Sequence, residues 1–147
     1  MLKSQNIFLR KLESTDVDFI LKWENNIENW SVSGTSVPFT IEEITGFVND
    51  EQDLIKNEQI RYVICLTEND KPIGTVDLFE FDIQNKTVGV GVLIADNSHR
   101  QKGYASEVLN VISDYCRNEL NVVTIFCNIY KDNKSSIRLF EKCGFHF

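Results

Sequence analysis

The stretch "SHRQKGYAS", residues 98–106, sets Arg100, Gln101, Lys102 and Gly103 between a run of small and β-branched residues, "TVGVGVLIA", and a helical pattern that starts at Tyr104. A loop at such a junction carries the unpaired N–H groups of the helix's first turn, and those donors attract anions. Gly103 permits a positive φ and a close approach of ligand to backbone, while Arg100 and Lys102 add charge without blocking the amides. A diphosphate suits the loop better than a carboxylate, because it engages several donors at once. A glycine loop with a solvated basic patch is the plainer account. The position of the pattern, at the strand-to-helix junction that anion binding requires, favours the site.

The elements that must hold this loop are legible in the hydrophobic periodicity. "IFLRKL" (7–12) alternates as a strand, and "STDVDFILKWENN" opens with capping residues and sets Val17, Ile20, Leu21 and Trp23 near helical spacing. Residues 30–39, "WSVSGTSVPF", carry turn signals; "TIEEITGFVNDEQDLI" then places Ile41, Ile44, Phe47, Val48 and Ile55 on one helical stripe, weakened by Gly46. "RYVICLT", "PIGTVDLFEF" and "KTVGVGVLIAD" are predicted as three antiparallel strands, joined by "ENDK" and "DIQN". Ala105, Val108, Leu109, Ile112, Tyr115 and Cys116 form the core face of a helix, and "VVTIFCNIY" is another strand. Asn133 caps a last helix with Ile137, Leu139 and Phe140 inward and Gly144 as its stop. The order β-α-α-β-β-β-α-β-α has no repeat or linker and describes one α+β domain, 1–147; the unit from 87 to 128 needs a right-handed crossover if its strands are parallel neighbours.

At 147 residues the chain has the length of one domain with one core, and 42% hydrophobic with 25% charged residues is the composition of an ordinary globular protein. Its apolar stretches are far shorter than the roughly 20 residues that span a bilayer, and "MLKSQNIFLRKLES" lacks the apolar centre of a signal peptide, so a cytoplasmic protein without a membrane partner is expected. A net charge of −7 argues against nucleic-acid binding, which needs an excess of Lys and Arg, and suits a cationic substrate. Cys65, Cys116, Cys127 and Cys143 lie among apolar neighbours without a C-x-x-C pair, the pattern of reduced core thiols; His99 and His146 make no ligand pair with them, so no metal is expected.

"LIADNSHRQKGYASEVLNVISDYC", followed by "NIYKDNKSSIRLFEKCGF", resembles the acetyl-CoA-binding half of the GNAT superfamily of N-acetyltransferases. Two motifs carry the likeness: Arg100-x-x-Gly103-x-Ala105, and Asn133 with a helix ending in Glu141, Lys142, Cys143, Gly144 and Phe145. It is specific from about residue 61 onward, while "RKLESTDVDFILKWENN" is similar to the opening of the spermidine and ribosomal-protein N-terminal acetyltransferase branches. The resemblance implies a mixed, mostly antiparallel sheet, flanked by helices and splayed at the acetyl-CoA site. It implies that the amides of Arg100, Gln101, Lys102, Gly103, Tyr104 and Ala105 hold the CoA diphosphate. The edge at Leu93, Ile94 and Ala95 would then bond the pantetheine in the gap beside 123–128, and Asn133 would reach the arm or its thiol end. Arg100, Lys102, Lys131 and Lys134 are candidate phosphate cations, or solvated surface charges.

Acetyl transfer to a primary amine needs a carboxylate, directly or through water, because the amine is mostly protonated at neutral pH. Asp77 and Glu80 are the candidates; in a regular strand Asp77 shares a face with Thr75, Phe79 and Phe81, and Glu80 shares the other with Val76 and Leu78, so one site takes both only across a bulge. Spermidine acetyltransferases resemble this strand, with an acidic residue at the Asp77 position, which puts Asp77 first. An amide near Ile94 would meet the charge developing on the carbonyl oxygen. Many family members protonate the departing sulfur from a tyrosine seven residues after the motif Asn; Phe140 stands there, which leaves Tyr130, Tyr104 or water. Glu24, Glu28, Asp77 and Glu80, with Trp23 and Trp30, would line a site for a linear cation, the tryptophans being otherwise core. The chain stops at "GFHF", where the family usually adds two strands that complete the sheet, so a shortened form or a homodimer covering the open edge is expected. The expected activity is acetyl-CoA-dependent acetylation of a small cationic amine such as a polyamine. The alternatives are a protein N-terminal acetyltransferase and a CoA-binding protein without turnover.

Overall fold

The computed structural model describes residues 2–30 and 37–147, so the turn signals at 31–36 lie outside the described residues. The strands are β1 (Leu2–Lys3), β2 (Ile7–Lys11), β3 (Ile60–Leu66), β4 (Pro72–Asp82), β5 (Thr87–Ile94) and β6 (Thr124–Phe126). The helices are α1 (Val17–Asn25), α2 (Ile41–Asn49), α3 (Leu54–Asn57), α4 (Tyr104–Asn118) and α5 (Lys134–Lys142). The six strands lie in one sheet in the order β1-β2-β3-β4-β5-β6. Every pair is antiparallel except β5 with β6, which is parallel and joined across α4.

Alternation along β3 sorts the two faces of the sheet. Ile60, Tyr62, Ile64 and Leu66 join the main core with Val108, Leu109, Ile112 and Cys116 of α4 and Phe140 of α5. Arg61 points the other way, toward α1 and α2, which pack on each other through Ile20, Ile44 and Val48. Helices therefore cover both faces. Cys65 and Cys116 are buried and Cys127 and Cys143 half-buried, all four free thiols, and burial pushes the Cys116 thiol up to about 11. Among the described residues no helix is long and apolar enough to cross a membrane, and no three His, Cys, Asp or Glu side chains gather to hold a metal.

β1 was not expected from the sequence, and two expected elements differ in extent. The stripe from 41 to 55 is two helices: Thr40 and Glu43 exchange side-chain and backbone hydrogen bonds at 3.0 and 3.1 Å to start α2, and Asp53 caps a separate α3, leaving Ile55 exposed. The strand read over "VVTIFCNIY" pairs only at Thr124–Phe126. Val122 turns into the core instead, and the chain beyond Phe126 leaves β5.

Candidate active site

β5 and β6 pair through Thr87↔Thr124, Val88↔Ile125 and Gly89↔Phe126, and then separate. A cavity of about 800 Å³ opens where they part, with Val90–Leu93 on one side, Asn128–Tyr130 on the other, and the Arg61–Asp77 face of the sheet as its floor. The Ala95 N–H donates to the Ile73 carbonyl at 2.9 Å. Main-chain groups alternate sides along a strand, so those of Leu93 and Gly91 also point to β4, while those of Val90, Val92 and Ile94 face the gap. The edge expected at Leu93–Ala95 thus narrows to Ile94 with Val92 beside it. Leu93 lends the cavity its side chain, and Ala95 is held by β4.

The loop after β5 is a cradle of donors. His99 and Arg100 N–H groups are taken by the Asp96 and Asn97 carbonyls at 3.0 and 3.1 Å. Among the described residues no acceptor meets the N–H groups of Gln101, Lys102, Gly103, Tyr104, Ala105 or Ser106; the first helical bond runs from Glu107 N–H to the Gly103 carbonyl at 3.1 Å. Gln101 and Gly103 adopt φ of 59° and 82°, which turns successive amides into one concavity. Arg100 is not a free phosphate cation as expected. Its Nε donates to the Ile94 carbonyl at 2.9 Å, Nη1 to Asn97 Oδ1 at 2.7 Å and Nη2 to Asn29 Oδ1 at 2.8 Å. The guanidinium therefore braces the loop against β5 and the fully buried Asn29.

Carboxylates and one arginine form the opposite wall. Arg61 Nε and Nη2 donate to Asp77 Oδ1 and Oδ2 at 2.6 and 2.8 Å, and Nη1 donates to Glu24 Oε1 at 2.6 Å. The guanidinium lies over the Phe47 ring, 4.9 Å from its centroid. Burial works against the Arg61 charge, but Asp77 and Glu24 more than offset it and hold its pKa above the ordinary arginine value. Glu43 adds a third carboxylate to the lining.

A family model described as an acetyltransferase (GNAT) domain matches residues 6–146. The chain belongs to the GNAT acetyltransferase family. It is 32% identical to the probable N-acetyltransferase YjcK of Bacillus subtilis over 99% of its own length and 83% of that protein. It is similar to the spermidine N-acetyltransferase of Vibrio cholerae, solved in complex with CoA and spermine, at 26% identity and a TM-score of 0.84 over 95% of this chain and 80% of that one. It shares its fold with the structure of a "putative ribosomal-protein-serine acetyltransferase" from Vibrio cholerae at 20% identity and a TM-score of 0.77, over 97% and 81%.

GNAT acetyltransferases take their acetyl group from acetyl-CoA, and the residues present fit that group. Six unengaged amides suit a diphosphate, and a strand edge that no other strand pairs with beyond Gly89 suits the amide-bearing pantetheine arm. Other sequence-predicted residues are placed differently from one another. Asp77 lines the cavity, whereas Glu80 is exposed and outside it. A bulge between Phe79 and Asp82, with Glu80 at φ 48°, throws Glu80 outward and turns Phe81 into the main core, away from Asp77. Glu24 joins the site but Glu28 is exposed; Trp23 packs on Phe19, and Trp30 donates to the Glu24 carbonyl at 3.0 Å. Asn133 Oδ1 accepts from Ser136 N–H at 3.3 Å as a helix cap, and Lys131 and Lys134 are exposed. Phe140 is buried against Phe145 and lends nothing to the cavity; Tyr104 packs on the main core, and Tyr130 lines the cleft. Arg61, Glu43 and Asn29 escaped the sequence analysis. Arg61 had a signal: an arginine alternating with Val63 and Cys65 on a central strand is buried only with carboxylate partners.

Proposed function

We propose that this N-acetyltransferase acetylates a small cationic primary amine, with a polyamine as the favoured class. The supporting observation is that Glu24, Glu43 and Asp77, set against the single charge of Arg61, share one cavity with the open β5 edge. An acidic wall beside the cleft concentrates a cation where the acetyl group arrives. The likeness to a spermidine N-acetyltransferase solved with spermine agrees with this class.

Bound acetyl-CoA supplies an activated thioester. In this proposal the amides of Gln101–Ser106 hold the diphosphate, the open β5 edge at Val92 bonds the pantetheine arm, and the Ile94 N–H, whose carbonyl is taken by Arg100, stabilises negative charge on a carbonyl oxygen. Arg61 occupies two lone-pair sites of Asp77; the others are left for the amine N–H or for a water that carries its proton. The Tyr130 hydroxyl, which lines the cleft, is assigned the proton donor's part in place of the buried Phe140.

Thiol release from acetyl-CoA, measured with polyamines, simple monoamines and peptides with free N-termini, tests the assignment. Release with polyamines is expected. Release with peptides alone would replace the acceptor class, and stabilisation by acetyl-CoA without release across the panel would point to a CoA-binding protein. We also propose a homodimer, because β6 is an edge strand with one side unpaired among the described residues. Sedimentation of a monomer at micromolar concentration would refute it.

A further inference from the structure

Three glycines interrupt β4 and β5, and packing accounts for two of them. A Cβ at Gly74 would fall on the Leu93 carbonyl oxygen, and one at Gly89 would collide with the Phe79 ring. Gly91 is different. A Cβ there meets nothing closer than Phe79 Cε1 at 4.0 Å, an ordinary contact, and its φ is not positive. Glycine inside a strand costs stability, and one that neither packing nor conformation requires marks a close approach by something else.

Gly91 pairs with Asp77, and Asp77 with Arg61, so the three make one row across β3, β4 and β5. Beyond Gly91 the row runs into the gap, because the parallel pairing of β5 with β6 ends at Gly89↔Phe126. Phe79 bounds the row on one side, lying over Gly89 and edge-on to Phe126 with ring centroids 5.6 Å apart. Leu93, two residues along β5 on the same face, bounds it on the other.

We propose that Gly91 is the specificity-determining floor of the acceptor site. Its missing side chain opens a lane from the Asp77 carboxylate to the β5–β6 gap. The lane takes an unbranched alkylamine lying flat on the strand, a distal cationic group toward Glu24 and Glu43 and the amine to be acetylated in the gap, where a water held by Asp77 takes its proton. Branches along the chain would meet Phe79 or Leu93. This inference rests on the acceptor class proposed above.

The Gly91→Ala variant tests it, since the added methyl has room in the protein and the fold should persist. Spermidine is the probe, read by KM in turnover and by calorimetric Kd with the protein saturated in CoA. Both are expected to rise about tenfold, as one methyl group does in a fitted site, with acetyl-CoA KM unchanged and Tm no lower than that of the wild type. Gly91→Ser, similar in size, should behave alike. An unchanged spermidine Kd overturns the lane, and a rise confined to acetyl-CoA KM puts the pantetheine rather than the acceptor over Gly91. Wild-type protein that binds spermidine, loses it in Gly91→Ala and yet releases no thiol keeps the lane and removes the transfer proposal. Wild-type protein that binds no amine of the panel overturns both.

Discussion

Replacing Arg61 with methionine is expected to destabilise the protein by about 3 kcal/mol and to lower kcat/KM for the amine more than tenfold. Arg61 holds Asp77 through two hydrogen bonds and Glu24 through one, and the three side chains are 16, 35 and 9% exposed. Methionine fills much of the space but leaves two carboxylates facing each other without a cation. Removing one partner of a buried pair costs about 3–5 kcal/mol; the exposure of Asp77 argues for the lower end. At about 2–4 °C per kcal/mol for a domain of this size, Tm should fall by roughly 6–12 °C. Arg61→Lys keeps the charge without the planar fork and should lie between. Adding Glu24→Gln to Arg61→Met should recover part of the loss, since one uncompensated charge disappears with it. A Tm for Arg61→Met within about 1 °C of wild type would mean that the triad does not join α1 to the sheet.

Valine at Gly103 should raise the KM for acetyl-CoA on the order of 10²-fold while leaving the core intact. Gly103 sits at φ 82°, where a β-branched residue is strained, and a Cβ there touches nothing within 4 Å of the protein. The penalty therefore falls on the backbone and the anion. Relaxing φ to a negative value would disperse the amides of Gln101–Ser106, and hydrogen bonds to a charged group are worth about 1.5–3 kcal/mol each. Loss of one or two gives about 3 kcal/mol, or roughly two decades in affinity. Asparagine tolerates the left-handed region, so Gly103→Asn should keep most of the binding. Wild-type affinity for acetyl-CoA in Gly103→Val would show that this loop does not hold the diphosphate.

The elements around the site were readable because their signals are local. Alternation marked β2, β-rich runs between turn-forming residues marked β3, β4 and β5, the three-and-four spacing from Ala105 to Cys116 marked α4, and Asn133 and Gly144 bracketed α5. The loop of free amides was legible for the same reason: Gly103, between a strand and a helix, permits the positive φ it adopts, and the first turn of a helix leaves its N–H groups without partners. Partnership between distant residues was not legible. A one-residue slip between Ile64 and Cys65 sets Arg61 opposite Asp77; the register begun at Cys65↔Pro72 would have set it opposite Val76. A bulge after Phe79 decided that Glu80 is thrown outward and Phe81 takes a place in the main core beside Val76 and Leu78, and the buried Asn29 drew the Arg100 guanidinium away from the loop's mouth. Periodicity reports which face of an element is apolar, but register, bulges and the choice of ionic partner are settled only when sheet and helices bury one another, because each depends on groups far apart in the chain.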